Sequence, residues 1–293
     1  MMYRVRHTTT YAYTSAVSVS HNVLHLTPRE CVHQRCSMHE LLIYPKPAFV
    51  NQAEDYFGNP VTFFGLQEPH DALTMTANST VELHPVDWPK PGDTPPWDQV
   101  RAQLQQDCSR EGLDAYQFVF DSPYVPSDPG VAALAATFFP PGRPLLEAVC
   151  DFMHHIYTEF TYDPEATTVS TPIHEVMAPR HGVCQDFAHL QIAGLRSCGL
   201  AARYVSGYLV AQPPEGQEQL VGALASHAWL SVFCPGVGWI DVDPTNDVLP
   251  AEAHITVAYG RDYGDVSPIK GVFLGGGEHA LDVSVDVLPI HAG

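Results

Sequence analysis

Basic residues are scarce in this chain. Fourteen Lys and Arg stand against 33 Asp and Glu, the formal charge is −19, and no basic run occurs. Nucleic-acid binding draws on clustered Lys and Arg that displace counterions from phosphates, so that class of function is excluded. An anionic membrane surface is disfavoured for the same reason. Long apolar runs are lacking too. No stretch approaches a membrane span, and Met1 to Thr8 contains no apolar segment of the kind an export signal needs. Paired cysteines are missing as well. The seven cysteines, at 31, 36, 108, 150, 184, 198 and 234, are odd in number and irregular in spacing, with no C-x-x-C. That excludes a disulfide framework and a zinc knuckle, and it points to a reducing cytoplasm.

Histidine is plentiful, at 16 residues, yet no metal site emerges. Adjacent His154 and His155 diverge on a helix. His21 and His25 lie in an apparent strand with no Cys or acid at ligand spacing. No cofactor is called for. The apolar fraction of 45% across 293 residues supports a real core, large enough for one large and one small domain.

Residues 1 to about 86 read as an antiparallel β domain. Tyr3–Tyr13 is rich in β-branched and aromatic residues. Val17–Leu26 alternates with period two, Met38–Tyr44 and Val61–Leu66 are short apolar runs, and Thr74–Leu83 alternates again. Pro-rich turns separate them. A connector from Pro85 to Trp97 carries five prolines, Pro85, Pro89, Pro91, Pro95 and Pro96. It marks a domain boundary, with a linker at 87–97. From 98 to 293 the texture changes. Helices are expected at Asp98–Cys108, Val131–Phe138 and Leu145–Phe160, then a long polar loop from Thr161 to Pro179.

The chemistry concentrates beyond that loop. Gly182-Val183-Cys184 leads into a helix that ends near Cys198-Gly199. Cys184 therefore falls in the first helical turn, where the dipole favours a thiolate and free N–H groups can hold an oxyanion. Alone, a cysteine there is also compatible with a small buried apolar side chain. Downstream, Arg203–Val210 and Ser226–Phe233 read as strands, with Gln212–Gly222 as a loop or hairpin tip between them. Trp239–Asp243 is a third strand, stopped by Pro244. If 234–238 is the hairpin loop, Phe233 pairs with Trp239, Ser231 with Asp241 and Trp229 with Asp243. His227 then lies diagonal to Asp243 on the same face. A nucleophile, a base, and a group that fixes the base's tautomer are what cysteine-dependent acyl transfer requires.

These residues resemble the transglutaminase-like superfamily. Its G-x-C helix start, H-A-W strand and W-x-x-x-D-P-T strand appear here as Gly182-Val183-Cys184, His227-Ala228-Trp229 and Trp239 to Thr245. Leu26-Thr27-Pro28-Arg29, Asp55–Asn59, Ala202–Tyr208, Gly260–Tyr263 and Gly271–Gly277 extend the resemblance along the chain, within the bacterial two-domain group regarded as cysteine proteases. The resemblance implies an α+β fold, with the Cys helix packed on an antiparallel sheet that carries His and Asp. It implies catalytic Cys184, His227 and Asp243, and favours Asp243 over Asp241. By looser analogy it suggests Tyr162 as an oxyanion donor. It implies a protein or peptide substrate, hydrolysed through a thioester. Protein-glutamine crosslinking and a non-catalytic binding role of the same fold are the alternatives. Asp186 and His189 are expected to touch substrate or to bond within the fold, and Arg203 to pair with a carboxylate. The β domain is expected to form one wall of the substrate groove.

Overall fold

A computed structural model describes residues 1–210 and 226–290. The expected loop at 212–222 lies outside them. The elements run, in order, β1 (Met2–Leu24), β2 (Gln34–Tyr44), β3 (Phe49–Glu54), β4 (Pro60–Leu66) and β5 (His70–Leu83). Then come α1 (Trp97–Gln106), α2 (Arg110–Tyr116), α3 (Pro129–Ala136), α4 (Leu145–Glu159), β6 (Thr161–Tyr162), α5 (Ile173–Met177), β7 (His181–Gly182) and α6 (Cys184–Ser197). The chain closes with β8 (Ala202–Leu209), β9 (Ser226–Cys234), β10 (Gly238–Val242), β11 (His254–Gly260), α7 (Tyr263–Val266), β12 (Ile269–Gly275) and β13 (His279–Ile290). The fold is α+β. Among the described residues no helix is long and apolar enough to cross a membrane.

The first sheet orders its strands β2-β5-β1-β4-β3, with β12 and β13 also paired to β1. Two expected strands, Tyr3–Tyr13 and Val17–Leu26, are one continuous strand, β1. Pairing shifts between Ala12 and Val17 against β5, and between Val17 and Val19 against β12. An irregularity of this kind bends a strand without ending it. The face of β1 that alternates Tyr3, Val5, His7 and Thr9 is buried, as is the Leu73–Leu83 alternation of β5. The C-terminal strands, which the sequence groups with residues 98–293, hydrogen-bond along β1 instead. Met2–Tyr13 pairs with Ile290–His279 and Val17–Leu24 with Gly275–Ile269.

The second sheet, β10-β9-β8-β11, is antiparallel throughout. One face of β9 presents Ala228, Leu230 and Val232, which belong to the same apolar cluster as Phe187, Ala188 and Leu190 of α6. The other face presents His227, Trp229 and Ser231. Helix α6 is buried from Gln185 to Arg196, with α3 and α4 against it. Gly194 makes that approach possible, because a Cβ there would meet Phe152 Cε1 at 2.4 Å. Arg196 is buried within the cluster and spends its guanidinium on the carbonyls of Phe118, Ala202 and Arg261 and on Ser122. The expected polar loop at 161–179 contains β6 and the short helix α5, whose Ile173 and Val176 are buried. Two buried apolar side chains in a stretch this short give too little periodicity to signal a helix.

Candidate active site

The approach to α6 is set by β6 and β7, which pair in parallel, Thr161 with His181 and Tyr162 with Gly182. Val183 is extended, and Cys184 is the first helical residue. Asp186, at the third helical position, reaches back so that its Oδ2 accepts the Val183 N–H at 2.9 Å and the Thr167 hydroxyl at 2.6 Å. That reach needs the glycine. A Cβ on Gly182 would lie 2.9 Å from Asp186 Oδ2. Burial raises the Asp186 carboxyl pKa, and these two hydrogen bonds offset part of the rise. The helix leaves its first-turn N–H groups, those of Cys184 and Gln185, without an intrahelical acceptor.

Strands β9 and β10 place the other two residues. The pairs Phe233–Trp239 and Ser231–Asp241 form in the expected register. Asp243 follows β10 and is tied by a bridge to Val248. His227 Nε2 lies 2.9 Å from Asp243 Oδ2, with both side chains fully buried. A carboxylate only accepts, so Nε2 carries the proton and donates it. The turn after Asp243 secures the other oxygen, since Thr245 N–H and Asn246 N–H donate to Oδ1 at 2.9 and 3.3 Å. The Asn246 amide donates to Oδ2 at 2.8 Å.

With Nε2 committed, His227 Nδ1 remains for the thiol. Nδ1 is buried without a hydrogen bond of good geometry. Cys184 adds to the upward pull on the imidazole. Burial works against a charged His227, but the charge and hydrogen bond of Asp243 outweigh it, with a smaller part from Cys184. The imidazole pKa is pushed up to about 10. Burial would raise the Asp243 carboxyl, but the charge of His227 and the hydrogen bonds from His227 and His254 overcome it and hold the carboxyl well below its usual range.

Tyr162 is half-buried, and its hydroxyl pKa is raised first by burial and then by the charge of Cys184. Its pairing with Gly182 sets Tyr162 on the strand beside the one that leads into Cys184. Asp186 and His189 are engaged within the fold. Asp186 holds the start of α6, and His189 Nε2 accepts the Tyr263 N–H at 3.1 Å. Burial pushes the His189 pKa down to about 3. Arg203 differs from expectation, because among the described residues no carboxylate comes within ion-pair distance. Its guanidinium stacks on Tyr259 at 3.6 Å and Trp239 at 4.2 Å, and its Nε points to Ser231 Oγ at 3.4 Å. The Ser231 hydroxyl donates to Asp241 Oδ1 at 2.5 Å. That is the place of Asp241, one rung from Asp243 and facing a separate cavity of about 690 Å³ that Cys184 does not line.

Sequence reasoning missed His254 and Asn246. His254 opens β11, and its Nε2 donates to Asp243 Oδ2, also at 2.9 Å. His227, Asp243 and His254 are the group of described residues whose ligand atoms are close enough to hold a metal ion. The Asn246 amide already occupies the shared oxygen from a third side. The available sequence signal was the strand His254–Gly260 two segments after Asp243, but nothing local tells its register against β8.

The comparisons with known proteins fit this architecture. Residues 3–82 match the bacterial transglutaminase-like N-terminal region, and residues 132–244 match the transglutaminase-like superfamily. An uncharacterized protein of Mycobacterium tuberculosis is 42% identical over 298 residues, covering 98% of this chain and 92% of its own. One of Mycobacterium leprae is 34% identical, with 97% of each chain covered. A proposed cysteine protease of Cytophaga hutchinsonii has the same fold, with a TM-score of 0.78 at 22% identity, over 100% of this chain and 92% of that one. The chain belongs to the transglutaminase-like superfamily, in the bacterial group that carries this N-terminal region.

Proposed function

We propose that the chain is a cysteine-dependent hydrolase of amide bonds in a protein or peptide substrate. The observation that carries this reading is a buried imidazole held by Asp243 at 2.9 Å with its Nδ1 unpartnered, beside a helix α6 that opens on the thiol of Cys184. In the proposed reaction His227 Nδ1 takes the thiol proton, and the sulfur attacks the carbonyl carbon. The resulting oxyanion lies against the Cys184 N–H and the Tyr162 hydroxyl. Collapse breaks the C–N bond, and His227 gives its proton to the leaving amine. Water, deprotonated by the same imidazole, then attacks the thioester carbonyl; the C–S bond breaks, the acid leaves, and the imidazolium returns its proton to the Cys184 sulfur. Seven free cysteines suit a reducing compartment, and we place the reaction in the cytoplasm.

Transamidation is the second reading, with a lysine amine in place of water. A protein-glutamine gamma-glutamyltransferase of Pseudomonas aeruginosa is 33% identical over 107 residues, 36% of this chain and 16% of that protein, and this favours keeping it. Incubation with peptide pools and an added primary amine, read by mass spectrometry, tests both. Cleavage that is lost in Cys184→Ala supports hydrolysis. Amine incorporation at Gln outpacing cleavage would overturn it. A Cys184 that alkylates no faster at mildly acidic pH than the other six cysteines would leave a binding module.

A further inference from the structure

Asp243 is unusually crowded with donors. Five hydrogen bonds converge on one carboxylate, from His227 Nε2, His254 Nε2, the Asn246 amide, and the Thr245 and Asn246 N–H groups. Three of them share Oδ2. His254 and His227 approach that oxygen at the same 2.9 Å, and their rings lie 5.9 Å apart. His254 is itself fixed in place, with Trp229 packed edge-on against its ring at 5.0 Å between centroids. Trp229 in turn closes against Gly207, where a Cβ would meet its Cη2 at 2.6 Å.

A base in a two-step acyl transfer must both accept a proton and release it. Alone with a buried carboxylate, an imidazolium is held too firmly to be a good acid. Each further donor on the carboxylate draws off part of that hold. We infer that His254 is a positioning residue for this site: by sharing Asp243 Oδ2 with His227 it limits the grip of the carboxylate on the base, so that His227 can return its proton to the leaving group. The inference rests on the reading of His227 as the base. The ionisable groups facing the cluster are Cys184 from α6, His227 from β9, Asp243 and Asp241 from β10 and its end, and His254 from β11. Burial lowers the pKa of His254, and the pull of Asp243 only partly offsets it. His254 therefore acts as a neutral donor, and the single positive charge of the pair stays on His227.

The test reads His227 directly and needs no turnover. In full-length Cys184→Ala protein, where the thiol no longer exchanges protons, the His227 ring is titrated by NMR. Adding His254→Phe, which keeps an aromatic ring and deletes the donor, should raise the His227 titration point by roughly half to one pH unit, about half the worth of one hydrogen bond to a charged group because the donor is lost from both protonation states of His227. His254→Gln, whose amide can still donate, should restore most of it. His254→Asn, too short to reach Oδ2, serves as a second donor deletion if the Phe variant does not fold. With Cys184 intact, the alkaline limb of hydrolysis should move up by the same amount in His254→Phe. An unmoved His227 titration, or an equal shift in the Gln variant, overturns the role of His254. Slow alkylation of Cys184 and absent turnover would instead overturn the hydrolase reading, and the NMR result stands apart from it.

Discussion

Replacing Asp243 with Asn should flatten the dependence of stability on pH above neutrality. The His227 imidazole is held at about pKa 10 in the folded chain, against about 6.5 when unfolded. A raised folded pKa gives stability that is fully present below the unfolded value and is lost as pH rises through the folded one. Between about pH 6.5 and 10 the native state therefore carries one more proton than the unfolded state, and each pH unit should cost about 1.4 kcal/mol. Cys184 complicates this in the wild type. Its thiol exchanges protons with the imidazole, so the wild type does not isolate the His227 contribution. The comparison is therefore between Cys184→Ala and Cys184→Ala with Asp243→Asn, by urea denaturation at pH 7, 8 and 9. From pH 7 to 9 the single variant should lose up to about 3 kcal/mol more than the double, the upper figure holding only where the folded pKa stays near 10 without the Cys184 contribution. In the double variant burial governs, and His227 is neutral over the whole range. The two proteins falling in parallel would refute the assignment of the proton to the His227–Asp243 pair. On the acid side the sign reverses. The depressed carboxyl of Asp243 contributes stability that is present above its unfolded value, near pH 4, and is lost as pH falls below it.

Other consequences follow from the same geometry. Asp243→Asn with Cys184 intact should lower turnover by about 10²- to 10⁴-fold with little change in KM, since the ring loses its charge partner and its fixed tautomer; steady-state kinetics on any cleaved peptide checks it. Gly182→Ala should cost about 1–2 kcal/mol and slow alkylation of Cys184, because the methyl displaces Asp186 from the helix start; urea midpoints and labelling rates read the two effects. Gly207→Ala should be worse, at about 3 kcal/mol or more, with the added Cβ 2.0 Å from the Ile255 carbonyl oxygen and 2.6 Å from the Trp229 ring. A Gly207→Ala protein as stable as the wild type would count against the packing of Trp229 described above.

Much of the site was legible because its determinants are local. The alternation of β9 and β10 puts His227, Trp229, Ser231, Asp241 and Asp243 on one face once the hairpin loop has odd length, and Pro235 and Gly236 mark that loop. The helix start at Cys184 announces itself through Gly182 and Asp186, whose contact is only four residues long. What stayed hidden is non-local. His254 reaches Asp243 from β11, whose pairing with β8 carries a bulge between Thr256 and Ala258. Counting by twos from a distant strand cannot survive that bulge. Arg203 was expected to pair with a carboxylate, yet two aromatic faces hold it instead. A lone Arg in a strand gives no sign of which residues will flank it across three neighbours.

The C-terminal strands bear on how the β domain's role can be tested. A small pocket at the start of β9, which His227 and Cys184 do not line, is bordered by Thr9 and Tyr11 of β1, Leu281 and Val283 of β13, Ile269, Tyr263 and Ser226. Leu281 and Val283 are exposed, although their strand neighbours Val285 and Val287 are buried in the main core. Deleting residues 1–86 would remove this border, but it would also strip β12 and β13 of β1 and uncover Val285, Val287 and the edges of both strands. Such a truncation would lose activity on every substrate through unfolding, and equal losses would say nothing about the groove. Substituting Leu281 and Val283 by Thr changes the border and leaves the pairing intact. If this surface receives the substrate's side chains, KM for an apolar peptide should rise several-fold, the scale of one or two buried methyl groups, while the rate of Cys184 alkylation by a small reagent stays as in the wild type. Unchanged KM across apolar peptides would remove the β domain from substrate recognition and leave it as the clamp that joins the two ends of the chain.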